Sequence, residues 1–114
     1  MRVDLRAAPF NLDDQAVAWV QSTLASMSLE RKVGQLFFLE GVMSGRAKLE
    51  AAIRRYGPGG VMCRPAPSNA VASLHRALQG ASSIPLFLAA NLEAGGNGLI
   101  TDGTAYGPEM MVAA

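Results

Sequence analysis

Cysteine and histidine occur once each in this chain, as Cys63 and His75. A lone thiol closes no internal disulfide and a lone imidazole leaves no cluster with metal-ligand spacing, so neither a disulfide scaffold nor a metal site is expected. Charge of one sign is missing too: 10 basic and 9 acidic residues leave a net +1, interspersed along the chain. That balance gives no support for nucleic-acid or membrane-surface binding. No apolar run approaches the ~20 residues of a membrane span, and MRVDLRAAPFNLDD lacks the apolar core of a secretory leader. The chain therefore reads as soluble and cytoplasmic, with a secreted parent whose leader is missing as the alternative.

What is present is a globular composition, half hydrophobic and 17% charged over 114 residues, which suits one domain or part of one. Asn11 is a plausible N-cap, with Asp13 and Asp14 set to meet the positive end of a helix. Leu12, Ala16, Trp19, Val20, Thr23, Leu24 and Met27 recur on one face, predicting a helix from about 12 to 26. Ser28 caps a second, short helix with Glu30 in its first turn, ending near Gly34.

From there the period changes. The runs 35–40, 60–63 and 84–90 are short and apolar without alternation, which predicts strands buried on both faces, as in a parallel sheet. Between them, Leu49, Ala52, Ile53 and Tyr56 mark one amphipathic helix. Val71, Leu74, Leu78 and Ala81 mark another, capped at Ser68. A further helix opens at Pro108, where proline is tolerated in the first turn. Strands alternating with helices give an α/β fold with right-handed crossovers. The closing PEMMVAA stays apolar to its last residue, which is expected of a chain cut within a helix. Three parallel strands alone leave two open edges, so self-association or a covering remainder is expected.

Chemistry concentrates in NLEAGGNGLITDGT, residues 91–104, where two carboxylates, two amides and four glycines follow the third strand. The C-terminal ends of parallel strands are where α/β sites are built. Glycines there let backbone approach a ligand, and amide and carboxylate groups match the donors and acceptors of a polyhydroxy compound. A phosphate cradle is the weaker reading, because GGNG at 95–98 lacks G-x-G-x-x-G spacing and no G-K-[ST] follows. A plain glycine-rich turn is the third.

SLERKVGQLF at 28–37 resembles the S-L-E-E-K-V-G-Q-L-F opening of family-3 glycoside hydrolases, the β-glucosidase and β-N-acetylhexosaminidase family. GGVM at 59–62 resembles the family's G-G-V-I, IPLFLAA at 84–90 its I-P-L-L-I-A, and NLEAG at 91–95 its D-Q-E-G-G. Asp102-Gly103-Thr104 and the run from Gly107 to Ala114 are similar to its G-T-x-F-P-x-x-M-A-L-A-A. The resemblance implies a (β/α)8 TIM-type barrel, truncated here: 1–34 as leading helices and 35–114 as the first three βα units of a single catalytic domain. It implies hydrolysis of terminal β-linked sugars, β-N-acetylhexosamine ahead of β-glucose, by a retaining mechanism without cofactor. Both catalytic carboxylates of the family fall later than these residues, so the chain alone is expected to be inactive and to contribute a substrate-binding loop.

Within that resemblance Asn91 takes the place of the aspartate that grips sugar hydroxyls, and the family's assisting arginine falls near Leu99; no arginine follows Arg76. Glu93 is a sugar ligand or, as favoured, a loop support hydrogen-bonded to backbone. Arg64 and Cys63 end the second strand and are candidate site residues, with a surface arginine and an inert buried thiol as their plainer readings. Glu40, ending the first strand, has a similar claim. His75 is placed at the flank or exposed face of its helix, and Arg54-Arg55 on a solvated helix end. The rival functions are a non-catalytic self-associating α/β module and a phosphate- or nucleotide-binding α/β protein.

Overall fold

The computed structural model describes residues 3–41, 45–107 and 109–113. The elements run α1 (Asp14–Ser26), α2 (Leu29–Gly34), β1 (Phe38–Gly41), α3 (Arg46–Tyr56), β2 (Gly60–Cys63), α4 (Ser68–Ala81), β3 (Phe87–Ala89) and α5 (Glu109–Ala113). A 3-10 turn at Gly96–Gly98 interrupts the loop after β3. The strands form one parallel sheet in the order β1-β2-β3. The chain is thus α/β with a parallel sheet, as its apolar runs suggest.

Several local readings change. Asn11 does not cap α1: it sits at φ 49, and Asp13 takes the role by accepting from the Ala16 amide at 2.8 Å. The first helix therefore starts at Asp14. Its apolar stripe is covered only in part: Leu12, Ala16, Val20, Thr23 and Met27 are half-buried, whereas Trp19 and Leu24 are each about half exposed. Ser68 is the first residue of α4 and Pro67 its cap. Ser28, by contrast, accepts from the Arg31 amide at 3.3 Å and starts α2 as its sequence indicates. The predicted start at Pro108 lies outside the described residues.

No strand is buried on both faces: β2 buries Val61 and Cys63 on one face and leaves Met62 half-buried on the other, while β1 and β3 expose Phe38 and Phe87. The reason is that α3 and α4 pack on the Val61 and Cys63 face only, so side chains that alternate to the other face keep their water. Val61 and Cys63 point to the face on which α3 and α4 pack, forming one core with Leu49, Ile53, Leu74, Leu78 and Leu86. Alternation sends the other residues to the opposite face. Register aligns Phe38, Gly60 and Phe87 in one layer and Glu40, Met62 and Ala89 in the next. The rings of Phe38 and Phe87 stack with centroids 6.4 Å apart. Gly60 between them has no room for a Cβ, which would lie 2.3 Å from the Phe38 ring.

The N-terminal end of the sheet is locked by α2. The Gln35 amide donates to the carbonyls of Gly57 at 2.8 Å and Pro58 at 3.1 Å. Arg31 donates to Arg54 O at 2.7 Å, satisfying a carbonyl that the end of α3 leaves free. Gly57 closes α3 in the left-handed conformation, φ 60, with its amide on Ile53 O at 2.9 Å. On the next unit, the Gln79 amide both donates to Leu86 O and accepts from Leu86 N at 2.9 Å, fastening the approach to β3. The motif residues 28–37 and 59–60 are therefore scaffold for the lower rim.

Candidate functional site

The opposite, C-terminal rim carries the residues with chemistry. Arg64 follows β2 directly, its amide bonded to Gly41 O at 2.9 Å, so its backbone is tied to the end of β1. Its guanidinium pairs with the Glu40 carboxylate from the neighbouring strand. Both side chains remain more than half exposed, so the pair contributes little to stability. Asn91 lies two residues beyond Ala89, the last residue of β3, which registers with Met62, two residues before Arg64. Asn91 and Glu93 are both exposed.

The loop from 91 to 107 is organised by backbone and glycine. Gly95 adopts φ 98 and ψ −164, a conformation open to glycine, and bridges Ala105 across the loop. Gly96 donates to Thr104 O at 3.0 Å and Tyr106 to Ala94 O at 2.8 Å. Gly98 presses on the main chain of Asn91, where an added Cβ would come within 1.5 Å of the carbonyl oxygen. The loop docks on the α4 unit through Ala66 and Leu99 at 3.2 Å and Thr101 and Ala66 at 3.0 Å.

Asp102 completes that docking, and no residue spacing announces it. Its carboxylate accepts from the Ser68 hydroxyl and the Ser68 amide, each at 2.8 Å, capping the start of α4 from 34 residues away. The Ser68 side chain and then its amide hold the Asp102 carboxyl below its usual value of 3.8. A depressed folded pKa stabilises above the unfolded value and is lost as pH falls through the folded one. Amides 99–105 should thus lose hydrogen-exchange protection on acidification below about pH 3.8, and Asp102→Asn should show the loss already at pH 7. Protection unchanged in that variant would remove Asp102 from the docking.

Glu93 is a different matter from the loop support favoured on sequence: no hydrogen bond among the described residues engages its carboxylate, and Asp102 with the backbone bridges does the supporting. His75 is half-buried, at the flank of its helix; Nε2 meets no partner among the described residues, and desolvation lowers its pKa. Cys63 is buried in the core, where desolvation pushes its thiol up and away from reactivity. Arg54 pairs with Glu50 at 2.7 Å and Arg55 covers the Tyr56 ring, a solvated helix end. The cavities of about 330 Å³ beside Arg31 and Phe37 and about 520 Å³ beside Gln35 and Gly57 lie at the N-terminal rim, away from Asn91. No group of three His, Cys, Asp or Glu among the described residues could hold a metal ion.

The chain is an α/β protein with a parallel sheet packed by helices on one face and an Arg64–Glu40 pair at its C-terminal end. No protein-family model matches the chain. It is 40% identical over 112 residues to the beta-N-acetylglucosaminidase/beta-glucosidase of Cellulomonas fimi, covering 98% of this chain and 20% of that protein. Its fold matches the beta-glucoside phosphorylase BglX bound to 2FGlc with a TM-score of 0.78, at 36% identity, over 89% of this chain and 19% of that one. A second BglX structure gives 0.74 at the same identity. The chain thus resembles family-3 glycoside hydrolases over nearly all of its length and spans about a fifth of theirs.

Proposed function

We propose that residues 1–34 are the leading helices and 35–114 the first three βα units of one (β/α)8 catalytic barrel. The whole enzyme hydrolyses terminal β-linked sugars, N-acetylhexosamine ahead of glucose, with retention through a covalent glycosyl-enzyme. This segment holds substrate: Asn91, Glu93 and Arg64 line the sugar-facing rim, and the two catalytic carboxylates belong to later units. The observation that carries the reading is 40% identity along 98% of the chain to an enzyme named for β-N-acetylglucosaminide and β-glucoside cleavage. Supporting it, α3 and α4 share a face with Val61 and Cys63 while Glu40, Met62 and Ala89 occupy the bare face, as a barrel wall requires. The later units would cover the stacked Phe38 and Phe87 and the two open edges; without them the segment associates with itself.

Relatives named as a hydrolytic and a phosphorolytic enzyme leave the acceptor to be chosen between water and phosphate. Water is favoured, because the relative matched along 98% of this chain is named for hydrolysis. The test is the full-length protein given aryl β-N-acetylglucosaminide and aryl β-glucoside, with and without inorganic phosphate. Phosphate-independent turnover with retained anomeric configuration is expected, and the 114-residue chain alone should give none. Turnover on neither substrate would overturn the reading, and strict phosphate dependence would replace hydrolysis with phosphorolysis.

A further inference from the structure

The Arg64 main chain is fixed on both sides, by its own amide on Gly41 O at 2.9 Å and, two residues on, by the bonds of Ala66 to Leu99 and Thr101. Its side chain is 60% exposed and has one tether among the described residues, Glu40. Nε and Nη2 both reach the same carboxylate oxygen, Oε1, so among the described residues the far side of the guanidinium and Oε2 of Glu40 meet no further partner and can face a ligand. A cation and an anion side by side present donors and an acceptor at a fixed spacing with no net charge, which suits vicinal hydroxyls. An unpaired arginine would instead attract phosphate, sulfate or carboxylate. Exposed Asn91 and Glu93, in the loop that follows β3, bring an uncharged amide and a further carboxylate to the same end of the sheet.

We propose that Glu40 is a positioning residue that aims Arg64 and neutralises it, so that the rim accepts a neutral polyol and rejects anionic ligands. The proposal rests on the reading of this rim as sugar-binding. Glu40 acts through Arg64 and not on the bond cleaved, so its loss should fall on KM rather than kcat.

The experiment uses the full-length protein, a neutral aryl β-glycoside and inorganic sulfate as an unreactive anion at constant ionic strength. Glu40→Gln is expected to raise KM about fivefold with kcat within about twofold, and to let sulfate compete at about tenfold lower concentration than in the parent, since a charge beside the guanidinium has been removed. Adding Arg64→Gln to Glu40→Gln should abolish the sulfate effect without raising KM beyond either single change, the signature of residues acting as a pair. Glu40→Asp, which keeps a carboxylate, should restore resistance to sulfate. Unchanged KM and sulfate sensitivity in Glu40→Gln, or sensitivity that survives the double change, would overturn the proposal. Arg64→Gln separates the two ideas: if it leaves KM unchanged the sugar-rim reading fails, whereas a raised KM there with parental KM in Glu40→Gln removes only Glu40. Calorimetric sulfate titration of the same variants needs no turnover and decides the Glu40 role even in a protein that cleaves no glycoside.

Discussion

Gly34→Ala is expected to destabilise the chain by about 3 kcal/mol and to lower its melting temperature by roughly 15 °C, a large part of the ~5–15 kcal/mol available to a domain. Alanine normally improves a helix over glycine by about 0.5–1 kcal/mol, so the sign has to come from packing. At this position an added Cβ would lie 2.0 Å from the Tyr56 carbonyl oxygen and 2.9 Å from that of Gly57, both main-chain atoms with nowhere to go. Relieving the clash moves α2 away from the turn between α3 and β2. Overpacking of this kind costs about 1–3 kcal/mol. The displacement also breaks the two Gln35 amide bonds to Gly57 and Pro58, each worth about 1 kcal/mol. Gly80 supplies the control: it is helical too, in α4, with nothing within 4 Å of an added Cβ. Gly80→Ala should raise the melting temperature. Thermal unfolding by circular dichroism reads both, and equal effects of the two substitutions would contradict the packing argument.

Gly98→Ala is expected to act on function instead. The added methyl would overlap the Asn91 carbonyl oxygen at 1.5 Å, so the loop or Asn91 must shift by more than 1 Å. Misplacement of a binding group by that distance costs about 100-fold in rate when the group orients substrate. The loop is held by a few backbone bridges and Asp102 at the periphery, so the melting temperature should change little. The full-length enzyme with Gly98→Ala should therefore lose about two orders of magnitude in kcat/KM on an aryl β-glycoside while folding normally. Activity at the parental level would reduce NLEAGGNGLITDGT to a turn and detach Asn91 from the sugar.

Both predictions rest on close approaches that sequence reading detects only as glycine. Ser28 and α2 were legible because a side-chain cap and its amide lie three residues apart. The helix at 68–81 was legible because Val71, Leu74 and Leu78 keep helical spacing and are all buried. Asn11 and Asp13 both suit a cap, and what separates them is the backbone turn that puts Asn11 at positive φ. Propensity does not choose between two good caps two residues apart. The stripe of α1 was visible too, yet Trp19 and Leu24 are exposed, because a periodic pattern names a face without naming what covers it.

At the rim, Asn91, Glu93 and Arg64 stood out by residue type and by following apolar runs. Two other features were invisible. Asp102 reaches Ser68 across 34 residues, and Glu40 reaches Arg64 across 24, each through the parallel register or the docked loop. The amino-acid sequence by itself determined the alternation of helices with apolar runs, the polar glycine loop after the third, and the resemblance to family-3 glycoside hydrolases. All of these are local periods or contiguous blocks, so short-range pattern suffices to find them. Only the tertiary structure decided which glycines are contact points, that Asp102 caps α4, and that Arg64 meets the rim already paired. Those are distances between segments far apart in the chain, and they exist once parallel pairing sets the register.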